Sequence, residues 1–214
     1  MFVGHYSASF LGKAAAPRVP LWILLLAAQL VDVAWAIFIL LGVEHFHLDP
    51  TLPTNPLVLD HMPYTHSLLG TLAWAALGGA IVVLAGFGKT RAAVVTGLVV
   101  CSHWVLDVLV HRPDMTLVGS DAPFGLALWN RPVLAFVVEI AVLVGAAGFA
   151  MTRSGVGAAE RRAVVRGVGV LVVLQIFTTF GPIPPSPTAM VLSVLATFLL
   201  IAWGAARMER RLAR

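Results

Sequence analysis

The sequence is poor in charged residues and in cysteine. Only 11% of its 214 residues are Asp, Glu, Lys or Arg, whereas about a quarter of the residues of an ordinary soluble domain are charged. Together with 59% hydrophobic residues and a mean hydropathy of +0.93, this shortage excludes a soluble globular enzyme, a disordered chain and a nucleic-acid-binding module. The single cysteine, Cys101, excludes an intramolecular disulfide, and its apolar surroundings are typical of a core residue.

Long apolar runs dominate the chain instead. Six of them approach the length of about 20 residues that a helix needs to cross a bilayer, and they cover residues 19–43, 66–88, 91–111, 131–151, 164–181 and 187–206. Because every backbone polar group in lipid needs an internal partner, these runs are predicted to be helices. The sequence therefore predicts an all-α, polytopic transmembrane helical bundle of about six spans, forming a single integral membrane domain over residues 1–214.

The basic residues are distributed unevenly between the two sides of six alternating spans. Of the fourteen Lys and Arg residues, only Arg112 and Arg131 fall on one side, and all the others flank the spans on the opposite side. Because Lys and Arg accumulate on the cytoplasmic side, both termini are predicted to be cytoplasmic. The basic residues that give the net charge of +4 are therefore interpreted as determinants of membrane topology and as contacts with membrane lipids. Nucleic acid is not an expected partner.

Four ionisable residues lie in the predicted spans away from their ends, where a charge is costly. Asp32 is near the middle of the first span, His103 and Asp107 are in the third, and Glu139 is in the fourth. A charged side chain at the bilayer centre costs at least about 2.5 kcal/mol, and no Lys or Arg lies mid-span to pair with the carboxylates. Histidines, protons, water or a metal ion are therefore the available partners.

The spacing of His103 and Asp107 favours a metal site. The two residues are four positions apart, so both side chains project from one face of a helix, and they present a nitrogen and an oxygen ligand. A pair of hydrogen-bonded side chains that joins two helices is the structural alternative. Residues 4–16 are predicted to form a short re-entrant or interfacial helix that lifts His5 to mid-membrane. We expect one funnel, open to the outer side, to be lined by His5, Asp32, His61, His66, His103 and Asp107.

The order of these motifs resembles a known family. Gly4-His5, Val31-Asp32-Val33, the segment H-M-P-Y-T-H-S from His61 to Ser67, and S-H-W-V-L-D from Ser102 to Asp107 follow one another. This order is similar to the YdjM-type family of bacterial inner-membrane metal-dependent hydrolases, which is distantly similar to zinc phospholipase C and P1-type nucleases. The resemblance covers residues 1–129. It implies a bacterial inner-membrane protein in which the metal ligands are His5, Asp32, His61, His66, His103 and Asp107.

Departures from the family pattern favour one metal ion over a centre of two or three. Ala34 and Trp35 stand where the family has a second Asp and a His. The predicted function is a hydrolase that uses a divalent metal, with zinc as the expected cofactor, and cleaves a phosphoester of a lipid or lipid-linked substrate. Asp60 and His61 are the expected catalytic residues beside the metal.

Two other functions stay open at this stage. A proton or divalent-metal transporter would use the intramembrane carboxylates and histidines as a relay, although the sequence lacks the internal repeat that many carriers show. A non-enzymatic membrane scaffold would keep the fold with a degenerate site. Residues 130–214 are expected to contribute three C-terminal spans, and they carry no recognised motif.

Overall fold

The computed structural model describes residues 1–212, which are mostly helical. Its eight α-helices are α1 (Tyr6–Ala15), α2 (Leu21–Ala28), α3 (Leu30–Leu40), α4 (Leu68–Leu84), α5 (Thr90–Val110), α6 (Pro132–Ser154), α7 (Ala158–Phe180) and α8 (Pro187–Leu212). Two short 3₁₀ turns cover Val3–His5 and Leu128–Asn130. Between α3 and α4 lies an antiparallel hairpin of β1 (His45–Leu48) and β2 (Leu57–His61). The prediction of an all-α fold is therefore wrong for this one segment.

All six predicted apolar runs are helical, but they differ in length. Helices α5 to α8 are long and apolar enough to cross a membrane, and α2 with α3 makes a fifth crossing if the pair counts as one span. Helix α4 has 17 residues, which is at the lower limit for a crossing. Large apolar side chains such as Leu98, Phe177 and Leu200 are exposed on these helices. This surface is compatible with a membrane protein.

The first apolar run is not the continuous helix that the sequence predicts. Helices α2 and α3 are bent by 53° relative to each other at a break of one residue, the buried Gln29. The side-chain amide of Gln29 donates to the carbonyl oxygen of Phe2 at 3.2 Å. The residue at the break therefore connects the bent helix pair to the N-terminal segment by a hydrogen bond.

Helix α1 is packed inside the bundle. It contacts α2, α5 and α6, and its Ser9 hydroxyl donates to the carbonyl oxygen of Leu24 at 2.9 Å. A Cβ atom at Gly12 would lie 2.8 Å from a methyl group of Val99, so the glycine lets α1 approach α5 closely. The predicted short N-terminal helix thus exists, and it brings the preceding 3₁₀ turn into the interior.

The hairpin covers one end of the bundle. Its inward side chains, Phe46, Leu57 and Leu59, are buried in an apolar cluster that includes Trp35 of α3 and Trp129. A second apolar cluster surrounds α1 and α2 and includes Val99 and Val100 of α5. Since Val110 of α5 belongs to the hairpin cluster, the polar residues of α5 lie between the two apolar clusters along this helix.

Candidate metal centre

The predicted polar stripe on α5 is buried and compact. His103 Nε2 lies 3.0 Å from one oxygen of Asp107, and His111 Nε2 lies 3.7 Å from the other. The side chains of all three residues are buried. His111 directly follows the last residue of α5, one helical turn after Asp107, and this spacing was the signal that could have placed it in the predicted ligand set.

Three other elements bring polar side chains to this stripe. Asp32, in the first turn of α3, lies 3.4 Å from His103 Nε2. His66, just before α4, lies 3.3 Å from Asp32 by its Nε2. His5, at the end of the N-terminal 3₁₀ turn, lies 3.2 Å from Asp107 and stacks its ring on that of His103, with centroids 3.8 Å apart. The structure thus brings together five of the six predicted ligands.

These side chains form two overlapping groups that could hold a metal ion. One is His5, His103 and Asp107, the other is Asp32, His66 and His103, and in each the ligand atoms lie within 4.8 Å of one another. Metal–ligand bonds of 2.0–2.1 Å in a tetrahedral site separate neighbouring ligand atoms by about 3.4 Å. The separations of 3.0 to 3.4 Å between histidine nitrogens and carboxylate oxygens match that geometry.

The break between α2 and α3 orients the ring of His103. Ala28 is the last residue of α2, so its carbonyl oxygen is free of a helical partner and lies 2.8 Å from His103 Nδ1. Because a carbonyl can only accept, the hydrogen is assigned to Nδ1. In the neutral ring, His103 Nε2 is then an unprotonated acceptor that faces the carboxylates of Asp32 and Asp107. Within residues 1–212 this nitrogen has no hydrogen-bond partner.

A chain of two residues orients His66 in the same way. The hydroxyl of Thr65 donates to Glu44 at 2.6 Å and lies 2.9 Å from His66 Nδ1. Since the hydroxyl hydrogen is used by Glu44, Nδ1 is assigned as the donor to Thr65, and Nε2 is left to face Asp32. Glu44 is buried and also accepts the backbone N–H groups of Tyr64 and Thr65 at 2.8 and 3.0 Å.

The role of Glu44, which lies just after the first predicted span, was missed by sequence reasoning. The ring of His111 is oriented in the same way as that of His66, because its Nδ1 lies 3.0 Å from the carboxylate of Asp114. Three histidines therefore have Nδ1 bound to an acceptor and Nε2 turned towards a carboxylate. In metal sites, the ring nitrogen of a ligating histidine that does not bind the metal almost always donates to such an acceptor.

The N-terminal segment is held by acceptors on α6 and α7. The carboxylate of Glu139 accepts the backbone N–H groups of Phe2 and Gly4 at 2.8 and 3.3 Å, and the amide oxygen of Gln175 accepts that of Val3 at 3.4 Å. The backbone nitrogen of Met1 also contacts Asp107. Glu139 is thus placed to position His5 rather than to bind a metal itself.

Asp60 and His61 lie outside the cluster, contrary to the sequence-based prediction. Both side chains are exposed at the end of β2, whose inward positions are taken by apolar side chains. Asp60 contacts His47 at 2.9 Å across the hairpin, and His61 pairs with His45. The prediction failed because a strand, with its alternating faces, precedes His66 where the sequence had suggested a loop.

A cavity of 500 Å³ extends from the cluster, a volume within the range of small-molecule sites. Asp32, His66, Asp107 and His111 line one end. The walls are largely apolar and come from α3, α7, α8 and the connection before α8, including Trp35, Leu174, Phe177, Pro182, Pro184, Val194 and Phe198. The cavity therefore combines a polar end of His and Asp side chains that could hold a metal ion with largely apolar walls.

Arg112 fixes part of the loop that lines the cavity. Its side chain donates to the carbonyl oxygen of Asn55 at 3.2 Å and to the side chain of Asn130 at 2.9 Å, and Asn55 lines the cavity. Partial burial lowers the pKa of Arg112, but a guanidinium remains charged at any physiological pH. The Arg112 side chain is therefore engaged next to the cavity.

Comparisons with known proteins do not assign this chain to a family. No family model matches the chain, and no match was found among the curated proteins or the solved structures. The chemistry of this protein is therefore inferred from the arrangement of its own His and Asp side chains and of the adjoining cavity.

Proposed function

We propose that this protein is a membrane-embedded, metal-dependent hydrolase that cleaves a phosphoester of a lipid or lipid-linked substrate. One observation carries the proposal: the Nε2 atoms of His66 and His103 lie 3.0 to 3.4 Å from the carboxylates of Asp32 and Asp107, which line the polar end of an apolar cavity. Two acceptors at such a distance repel each other unless a proton or a metal cation lies between them, and buried charges in proteins are paired or bind metals.

Zinc is the proposed ion because the donor set consists of imidazole nitrogens and carboxylate oxygens. Asp32, His66 and His103 would hold it, and His5 and Asp107 form with the same His103 the overlapping second group. When bound, such an ion polarises a phosphoryl oxygen and lowers the pKa of water towards 7. The order of motifs that resembles the YdjM-type family is consistent with this choice.

His111 replaces Asp60 and His61 as the proposed general base. Its Nε2 faces the cavity end beside Asp107, and its Nδ1 is held by Asp114. A proton taken up at Nε2 would be stabilised by the Asp114 carboxylate, as a His–Asp pair does in other hydrolytic sites. The apolar walls would exclude water around the remainder of the substrate and accept an acyl or isoprenoid chain.

The proposed placement is a bacterial inner membrane crossed six times, with both termini in the cytoplasm. Helices α5 to α8, the bent pair α2–α3 and the shorter α4 would be the spans. The two basic residues of the outer side, Arg112 and Arg131, flank the loop next to the site. The other twelve Lys and Arg residues lie at the opposite ends of the spans. The site would then open towards the outer leaflet, where lipid substrates can enter.

Phosphate release from lipids tests this proposal. We expect the full-length zinc-loaded protein in mixed micelles to release inorganic phosphate from a long-chain diacylglycerol phosphate or an isoprenyl phosphate. A His66→Ala variant should lose at least about 100-fold in rate, since removal of a ligand removes the metal's contribution. The matched control is His45→Ala, an exposed histidine on the hairpin.

Three outcomes would contradict the proposal. They are equal rates for His66→Ala and His45→Ala, equal hydrolysis of a water-soluble short-chain phosphoester, and no hydrolysis by a zinc-loaded protein over a panel of lipid phosphomonoesters and phosphodiesters. The last outcome, with metal bound, would favour the transporter. The scaffold would be favoured by a protein that binds no metal.

A further inference from the structure

A second concave site lies towards the other end of α8. The first half of α8 lines the cavity of the metal centre, and its second half lines a groove of 620 Å³ together with the end of α1, the segment after it and α2. The floor of this groove is apolar and is formed by Trp22, Leu26, Leu199, Ala202 and Trp203. Its rim carries charged residues: Lys13, Arg18, Glu209 and Arg210.

Two of the charged rim residues are engaged in holding the groove together. Lys13 Nζ donates to the carbonyl oxygens of Pro17 and Val19 at 3.1 and 3.0 Å and lies 3.3 Å from Glu209. Glu209 in turn accepts the backbone N–H of Leu21 at 2.8 Å, at the N-terminus of α2. These contacts use all three hydrogens of the Lys13 ammonium group and balance its charge.

The two arginines of the rim are not engaged in this way. Within residues 1–212, the side chains of Arg18 and Arg210 have neither a hydrogen-bond acceptor nor an ion-pair partner, and both are exposed. A third guanidinium, that of Arg207, lies 5.4 Å from the ring centre of Trp203. The groove thus presents two unpaired cations directly above an apolar floor.

We propose that this groove binds one phospholipid with an anionic headgroup. Arg18 and Arg210 would hold the phosphate, because a guanidinium matches phosphate oxygens in a bidentate manner. One acyl chain would lie against Leu26 and Leu199. Tryptophans such as Trp22 and Trp203 are typical of the membrane–water interface, and basic pockets between spanning helices on the cytoplasmic side bind anionic lipids. The proposal uses the membrane placement given above and is independent of the metal centre.

Fluorescence quenching in nanodiscs tests the proposal on the full-length chain. Phosphatidylglycerol or phosphatidylcholine with brominated acyl chains is added in small amounts to phosphatidylcholine nanodiscs, and quenching of Trp22 and Trp203 is measured as the difference from a Trp22→Phe/Trp203→Phe variant. Each interfacial cation favours an anionic lipid about fivefold. We therefore expect half-maximal quenching at a phosphatidylglycerol fraction about 5- to 25-fold lower than that of phosphatidylcholine.

The decisive comparison is between two charge-matched variants. Arg18→Gln/Arg210→Gln should reduce the preference for phosphatidylglycerol to less than about twofold. Arg153→Gln/Arg161→Gln removes two exposed arginines outside the groove, one in the last turn of α6 and one in the first turn of α7, and should retain the preference. Equal losses in both variants, or no preference in the unmodified protein, would overturn the proposal. So would suppression of the quenching by millimolar inorganic phosphate, because the site would then take free phosphate rather than a lipid.

Discussion

The hydroxyl of Thr65 is predicted to control metal affinity without touching the metal. It links Glu44 to His66 through contacts of 2.6 and 2.9 Å and is fully buried. A Thr65→Val substitution keeps the shape of the side chain and removes the oxygen that holds His66 Nδ1. The ring of His66 then loses both its fixed tautomer and its orientation towards Asp32, 3.3 Å away.

The expected size of this effect follows from other metal sites. Loss of a residue that orients a metal-ligating histidine costs 10- to 100-fold in metal affinity, which corresponds to about 1.4 to 2.7 kcal/mol. Thr65→Val also leaves Glu44 with two of its three donors, so a loss of folding stability of about 1–3 kcal/mol accompanies the weaker binding. The matched control is Thr65→Ser, which keeps the hydroxyl.

Zinc affinity is measured by competition with a chromophoric chelator, on protein whose helical circular dichroism equals that of the unmodified chain. We expect Thr65→Ser to bind zinc within about threefold of the unmodified protein and Thr65→Val to bind at least tenfold more weakly. Equal affinity of the Val and Ser variants would refute the inference that Glu44 and Thr65 orient a metal ligand.

Three further predictions concern the surroundings of the site. The double variant Asp60→Ala/His61→Ala should hydrolyse lipid substrates at the unmodified rate, because both side chains are exposed on the hairpin. A decrease in the hydrolysis rate of more than about tenfold would show that they take part in catalysis. Phe177→Trp places a larger side chain in the cavity wall and narrows the cavity, so KM should rise more for long-chain than for short-chain substrates in the same assay. Equal changes in KM would show that the apolar chain of the substrate does not occupy this cavity. Backbone N–H groups of Val118 and Leu117 hold the pKa of Asp121 below its usual range, so its stabilisation of this loop is present above pH 4 or so and is lost as the pH falls further. Hydrogen exchange at these two amides should be faster in Asp121→Ala than in the unmodified protein at pH 7, and the difference should decrease as the pH is lowered below about 4; equal rates at pH 7 would contradict this.

Most of the helices and most of the clustered polar residues could be predicted from the sequence. The apolar runs predicted the positions of α2 to α8, apart from the break between α2 and α3, because composition and length determine where a chain this apolar becomes helical. The convergence of His5, Asp32, His66, His103 and Asp107 was also expected, since polar groups in an apolar interior are stable only when they meet one another.

The break at Gln29 could not be predicted, since the sequence around it contains neither Pro nor Gly. Its cause is tertiary: Gln29 donates to Phe2, and the freed carbonyl of Ala28 accepts from His103. The partners of these bonds lie far away along the chain, and a local pattern carries no information about them.

The hairpin and Glu44 were missed for a related reason. The strands have four and five residues, and alternation over so few positions is too short to distinguish from a loop. Glu44 acts through Tyr64 and Thr65, about twenty positions later. These partners lie beyond the hairpin in the sequence, so the role of Glu44 became visible only with the fold.

The metal content of the purified protein tests the central claim most directly. Zinc is measured by elemental analysis on the full-length chain in detergent, purified without chelators, beside a His103→Ala/Asp107→Ala variant and a His45→Ala/His47→Ala control. The account predicts about one zinc per chain in the unmodified protein and the control, and none in the α5 variant while its helical content is retained. No metal in the unmodified protein, even after reloading with zinc, would contradict the account.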